Sequence, residues 1–195
     1  MPSSASAGRL KQQLTREDWV DAAIDVMVQN SEAQVMVERL GATLGVSRGS
    51  FYWHFRSREQ LMGAILERWT QTATISVQEH LDRQEPDAAR RLLLYMRLPI
   101  KSARSSRGAD LELAILGWAR RSEMARKAVA RVDALRTRHF TELFAELGFG
   151  AAECRRRTHM TYAFMRYIAW RRDLDLATRL ELINAVHADL VSGAR

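Results

Sequence analysis

The sequence predicts an all-α fold in two parts, a small N-terminal helix-turn-helix unit followed by a larger helical domain. Three observations carry that prediction. Three prolines and ten glycines in 195 residues leave room for long helices. Alternating β-branched and aromatic runs between turn signals, the mark of strands, are missing. Apolar residues make up 47% of the chain, enough for a sizeable core, and they are patterned. The predicted boundaries are a mobile arm over residues 1–13, a helix-turn-helix domain over 14–60 and a helical domain over 61–195.

The elements follow in order. "MPSSASAGRLKQQ" is small, polar and lightly basic, as a mobile arm would be. Thr15 is placed to cap the first helix, with Asp18 three residues on. Asp21 and Asp25 mark its wet face, while Trp19, Val20, Ala23, Ile24 and Met27 fill the rest. "MVERLGATL" forms a short second helix and "SRGSFYWHF" a third. A long fourth helix starts at Ser57, which caps it, and runs through "LMGAILERWTQTATISVQEHL". Beyond Pro86 come "DAARRLLLYMRL", "ADLELAILGWARR", a long helix ended by Gly148, and two final helices over about 151–171 and 176–193. No repeat at a fixed period stands out.

Composition narrows the function classes. The net charge of +7 suggests a nucleic-acid partner, but its distribution weakens the inference. Residues 1–60 hold seven basic and seven acidic residues, so the whole excess lies in residues 61–195. An architectural DNA binder would carry its charge on the reading surface. The apolar runs are far shorter than a membrane span and no signal peptide opens the chain. The single cysteine, Cys154, suits a reducing cytoplasm and excludes an internal disulfide. No nucleophile elbow, phosphate loop or His-Glu metal helix is present, which argues against an enzyme. His80, His139, His159 and His187 are scattered, so neither a metal site nor a cofactor is expected.

The stretch "ATLGVSRGSFYWHF" carries the functional signal. A helix, a short turn at Gly45 and a second helix form the spacing of a helix-turn-helix. Gly45 sits where a positive φ is needed. Ser47 caps the next helix. With Phe51 and Phe55 turned inward, four residues apart, Gly49 and Trp53 lie nearly opposite the core. Ser50 and Tyr52 flank them, and Arg48 and His54 stand on the shoulders. An outward glycine costs about 1 kcal/mol of helix propensity against alanine. It makes sense where a large surface comes close to the backbone, as in the DNA major groove. Arg48 then reaches a guanine edge, Ser50 a base or phosphate, and Tyr52, His54, Arg56 and Arg58 the phosphates. The competing reading is a helical hairpin whose rings pack on another domain.

These residues also resemble a family. "GVSRGSFYWHFRSREQL" is similar to the signature of the TetR (tetracycline repressor) family of bacterial regulators, and Gly45, Val46, Ser47, Gly49, Tyr52, His54, Phe55 and Leu61 match in place. The resemblance covers roughly residues 12–70. It departs at Arg58, where lysine is usual, and at Leu40-Gly41, where Ile-Ala is usual; the second change is expected to loosen the second helix. The resemblance implies a sequence-specific regulator that contacts operator DNA through Ser47, Arg48, Gly49, Ser50, Tyr52, Trp53, His54 and Arg58. It also implies a homodimer, a repressor released from a palindromic operator by a small-molecule effector.

The second domain offers weaker candidates. "THMTYAFMRYIAW" is rich in methionine and aromatics, which suits either core or an adaptable pocket. Candidate lining residues are Tyr95, Met96, Leu113, Leu116, Phe140, Phe144, Met160 and Arg166. Arg166 would receive an anionic ligand or pair with an acid. The last two helices carry apolar stripes with Ala163, Ala169, Ala177 and Ala185, and are expected to pack on their two-fold mates as a four-helix bundle.

Overall fold

The computed structural model describes residues 14–100 and 103–194. The arm expected over residues 1–13 lies outside the described residues. Ten α-helices and no strand are found among the described residues. They are α1 (Arg16–Gln29), α2 (Val37–Leu44), α3 (Arg48–Phe51), α4 (Arg58–Thr70), α5 (Ser76–Gln84), α6 (Ala88–Arg97), α7 (Ala103–Ala119), α8 (Glu123–Glu146), α9 (Ala151–Trp170) and α10 (Leu176–Val191). No described helix is long and apolar enough to cross a membrane.

Local chemistry sets the helix ends. The Thr15 hydroxyl accepts from the Asp18 amide at 3.3 Å, while the Asp18 carboxylate accepts from the Thr15 amide at 2.7 Å, a reciprocal capping box. That bonding holds the Asp18 carboxyl below its usual range. Ser57 caps α4 through the Gln60 amide at 3.2 Å. Gly45 ends α2 at φ +69°, the left-handed conformation that the tight turn requires, and Gly148 does the same after α8 at φ +84°.

Two expected helices are interrupted. The third is one turn long, because Tyr52 to His54 continue only as turns before Phe55. The long fourth helix is not continuous: residues Gln71–Ile75 form a π turn between α4 and α5. The Ser76 amide donates to the Gln71 carbonyl, five residues back. The hydroxyls of Thr70 and Thr72 bond the carbonyls of Leu66 and Arg68 at 2.9 and 2.8 Å. Such back-bonding competes with the regular ladder and bends helices.

Two apolar cores result. One is built from Trp19, Leu40, Phe51, Phe55, Ile65 and Trp69, and continues into Ile115 and Trp118 of α7 and Val132 of α8. The helix-turn-helix unit is therefore packed against the second part of the chain without an apolar break. The other core joins α5, α6, α8, α9 and α10 around Leu92, Met96, Phe144, Ile168 and Ile183.

Candidate nucleic-acid interface and helical cavity

The reading surface is built on a buried ring ladder. Trp19 meets Phe51 edge-on with ring centres 5.3 Å apart, and Phe51 stacks on Phe55 at 5.4 Å. Both phenylalanines are fully buried. Fixing them on the inner side turns the rest of residues 47–54 outward. Trp53 is 88% exposed, so the described residues leave its ring almost uncovered, while Tyr52 is 50% exposed, with Phe51 edge-on at 5.3 Å and Arg48 beside it. Gly49 is exposed, and a Cβ there meets only the Ser47 hydroxyl, at an ordinary 3.6 Å. The fold therefore does not need glycine at this position.

Other candidates are placed differently from the expectation. Ser47 stands at the N-cap position of α3, but its hydroxyl makes no capping bond. Arg48 is held inside the unit: Nη1 pairs with Glu38 at 3.1 Å and Nη2 donates to the Tyr52 hydroxyl at 3.1 Å. Arg58 is spent on structure. Its Nε donates to the Val35 carbonyl at 2.6 Å and its Nη2 to the Glu32 carbonyl, fastening α4 to the 3₁₀ turn Glu32–Gln34. Gly41 has a packing reason. A Cβ there would lie 3.1 Å from the Val46 carbonyl, so its absence lets the turn close against the helix.

Further along the chain lies a cavity of about 690 Å³, within the range of small-molecule sites. Its wall draws on α1, α4, the π turn, α5, α6, the 3₁₀ turn Leu98–Ile100, α7, α8 and α9. Tyr95, Leu113, Leu116, Phe140 and Arg166 line it. Met96 and Phe144 do not, because both are sealed in the second core. Met160 does not either; it lies on the outer face of α9 and is 47% exposed. Ala169, expected at a subunit contact, lines the cavity instead.

The residue that sequence reading missed is Arg136 of α8. Its Nη1 donates to both Glu112 carboxylate oxygens at 2.9 and 2.8 Å. Its Nε donates to the Thr74 hydroxyl and its Nη2 to the Ala73 carbonyl, each at 3.1 Å. It thus ties α7 and α8 to the π turn at the cavity wall. Beside it, Arg166 Nη2 donates to Asp133 at 2.7 Å and to the Tyr162 hydroxyl at 3.1 Å. Burial is the main cause that pushes the Tyr162 phenol pKa up. Two more wall arginines hold α1. Arg68 pairs with Asp21 at 3.2 Å and with Glu17, and Arg107 pairs with Asp25 at 2.7 Å. The pairing partner of Arg136 is 24 residues away in sequence, and a lone arginine in a basic chain gives no signal for it.

No group of three or more His, Cys, Asp or Glu able to hold a metal is found among the described residues. Outside the cavity, Tyr167 and Trp170 of α9 and Leu176 of α10 are exposed apolar side chains, 46%, 70% and 52% accessible.

Comparison with known proteins bears on the same region. Residues 20–65 match the profile of bacterial regulatory proteins of the tetR family. The chain is 28% identical over 86 residues to the uncharacterized HTH-type transcriptional regulator YwcC of Bacillus subtilis, a match covering 44% of this chain and 38% of that one. It therefore spans well under two thirds of that relative. Among solved structures, a transcriptional regulator from Rhodococcus sp. Rha1 superposes with a TM-score of 0.75 at 18% identity, over 93% of this chain and 96% of that one. FadR from Bacillus subtilis, solved in complex with stearoyl-CoA, gives a TM-score of 0.67 at 17% identity, over 93% and 100%. At such identities the likeness is one of fold.

Proposed function

We propose, from the match of residues 20–65 to the profile of the tetR family of bacterial regulatory proteins, that this chain is a cytoplasmic repressor which reads a palindromic operator as a homodimer. A small effector bound in the helical cavity releases it. The observation that carries the reading is the outward face of residues 47–54: an open Gly49 beside Trp53 and Tyr52, backed by fully buried Phe51 and Phe55. A four-residue helix with so little side-chain cover is suited to entering a major groove closely.

A single reading helix covers one half-site, too few base pairs for genomic specificity. Two copies are therefore needed, and the exposed Tyr167, Trp170 and Leu176 on the last two helices supply an apolar face for an isologous contact. Ala177 and Ala185 on α10 are exposed as well, and small residues there allow close helix approach. The effector acts only by binding the DNA-free geometry more tightly than the DNA-bound one. Its route is short, because the cavity wall includes Asp21 and Ile24 of α1.

The test is a gel shift on the DNA immediately upstream of the chain's own gene, with unrelated DNA as competitor. Specific retention by the wild type, lost in Gly49→Leu at an unchanged melting temperature, supports the reading. Retention that unrelated DNA abolishes equally would mark a non-specific binder. Light scattering that gives a monomer at micromolar concentration overturns the dimer.

A further inference from the structure

We infer that the cavity takes an uncharged, largely apolar molecule, and that four ion pairs set this choice by leaving its wall no spare charge. The inference rests on the effector reading above and adds the chemical class of ligand. Half-buried Val77, Leu98, Leu113, Leu116 and Met165 form one part of the lining, apolar surface that a hydrocarbon body would cover. The ionic part consists of four arginines and two acids. Each arginine has a carboxylate of its own. Arg68 meets Asp21 at 3.2 Å, Arg107 meets Asp25 at 2.7 Å, Arg136 meets Glu112 at 2.8 Å and Arg166 meets Asp133 at 2.7 Å. Glu17, well exposed, is a second partner of Arg68.

This pairing turns away both signs of charge. An anion that approaches Arg136 or Arg166 must displace Glu112 or Asp133 and leave that carboxylate without its cation. The Arg136–Glu112 pair is largely buried, so water compensates a displaced group poorly. A cation meets the mirror problem. Both Glu112 oxygens already accept from Arg136, and one Asp133 oxygen accepts from both Tyr162 and Arg166. An uncharged molecule covers the apolar lining without breaking a pair. The Gln78 carboxamide stands half-buried on the same wall and carries no side-chain hydrogen bond among the described residues. It can donate to or accept from a hydroxyl or carbonyl group on such a ligand.

The acids are then the residues that keep anions out. Arg166 Nε stands 4.0 Å from Glu112, the carboxylate that Arg136 already holds. Without the Asp133 charge, these two arginines share one carboxylate, and the wall carries a spare positive charge beside half-buried Met165. Removing an acid should therefore admit an anion that the wild-type wall rejects, with little effect on an uncharged ligand.

The experiment is calorimetric titration of the full chain at neutral pH with decan-1-ol, decanoate and decylamine, probes of equal carbon number and different head-group charge. Decan-1-ol is expected to bind more tightly than either ion by a factor of about ten or more. Asp133→Asn is expected to raise decanoate affinity about fivefold or more while decan-1-ol affinity stays within about twofold. Glu112→Gln is the second variant if the first lowers the melting temperature. Either ion binding as tightly as decan-1-ol, no heat with decan-1-ol, or unchanged decanoate affinity in both variants overturns the inference. A gel shift without any probe separates the two levels. Specific DNA binding with no decan-1-ol binding sinks the ligand class and leaves the regulator standing. Selective decan-1-ol binding without DNA binding does the reverse.

Discussion

Arg48 of α3 and Glu38 of α2 face each other across the turn at Gly45, with Nη1 and Oε1 3.1 Å apart. The pair is well exposed, the side chains 61% and 62% accessible, so water screens it and it adds little to stability. Its hydrogen bond to Tyr52, more than the Glu38 charge, is what raises the Arg48 pKa. If residues 47–54 read DNA as proposed, DNA must displace a carboxylate to use this arginine.

Glu38→Gln is therefore expected to tighten DNA binding by about twofold to fivefold, the affinity equivalent of a surface ion pair. The gain should shrink at high salt and leave the melting temperature in place. A gel shift at two salt concentrations reads this; weaker binding in the variant would show that Glu38 itself contacts DNA.

Two glycines on either side of the same turn should answer alanine in opposite ways. Gly49→Ala meets open space apart from the Ser47 hydroxyl at 3.6 Å, so it is expected to stabilise the fold by about 0.5–1 kcal/mol. Gly41→Ala forces a methyl group to 3.1 Å from the Val46 carbonyl. It is expected to destabilise, because that carbonyl is fixed by the turn's backbone. Urea unfolding of the two variants compares them directly.

The contrast also shows what the amino-acid order reveals. The capping box at Thr15 and Asp18, the left-handed Gly45 and the inward Phe51 and Phe55 are all local, and each was readable from spacing alone. The close approach at Gly41 was not readable, because it is made by a backbone carbonyl five residues on. Nor were the bonds of Arg58, because the carbonyls it serves belong to residues 23 and 26 positions earlier. The cavity was half readable: apolar helix faces mark burial but not which of two cores, or which void, they meet. Met96 and Phe144 have the same periodicity signal as Tyr95 and Phe140.

Arg136 and Glu112 are 12% and 17% exposed, so breaking them one at a time leaves a poorly solvated charge. Arg136→Met is expected to cost about 3–5 kcal/mol. The double variant Arg136→Met/Glu112→Leu should recover a large share of that loss, since apolar replacements of buried pairs are often near neutral. A double-mutant cycle by urea denaturation checks this, and additive losses would mean the two residues act separately.

His139 gives the fold a pH dependence. It is packed edge-on against Tyr95 with ring centres 4.9 Å apart, and its Nε2 is buried without a hydrogen bond. Burial lowers its pKa below 6.5, with Arg91 adding to that effect and Asp82, Glu142 and Glu146 opposing it. The unfolded chain then binds a proton that the folded one resists, so stability is full above about pH 6.5 and is lost as pH falls below it. His139→Phe is expected to flatten the change in melting temperature between pH 7 and pH 5. An equal slope in both proteins would assign it to other groups.

The π turn at Gln71–Ile75 has a consequence for insertions and deletions in the gene. A backbone bond from residue i to i+5 holds one residue more than an α-helical turn. Removing one residue from this segment would let the regular ladder close while α4 and α5 keep nearly the same phase, because the extra residue is absorbed in the wider turn. What a single-codon deletion would change is local: the Ala73 carbonyl and the Thr74 hydroxyl, which Arg136 bonds, stand in this segment. Codon number in this short window therefore decides whether the helix offers these groups to α8, while the direction of α5 is left almost as it was.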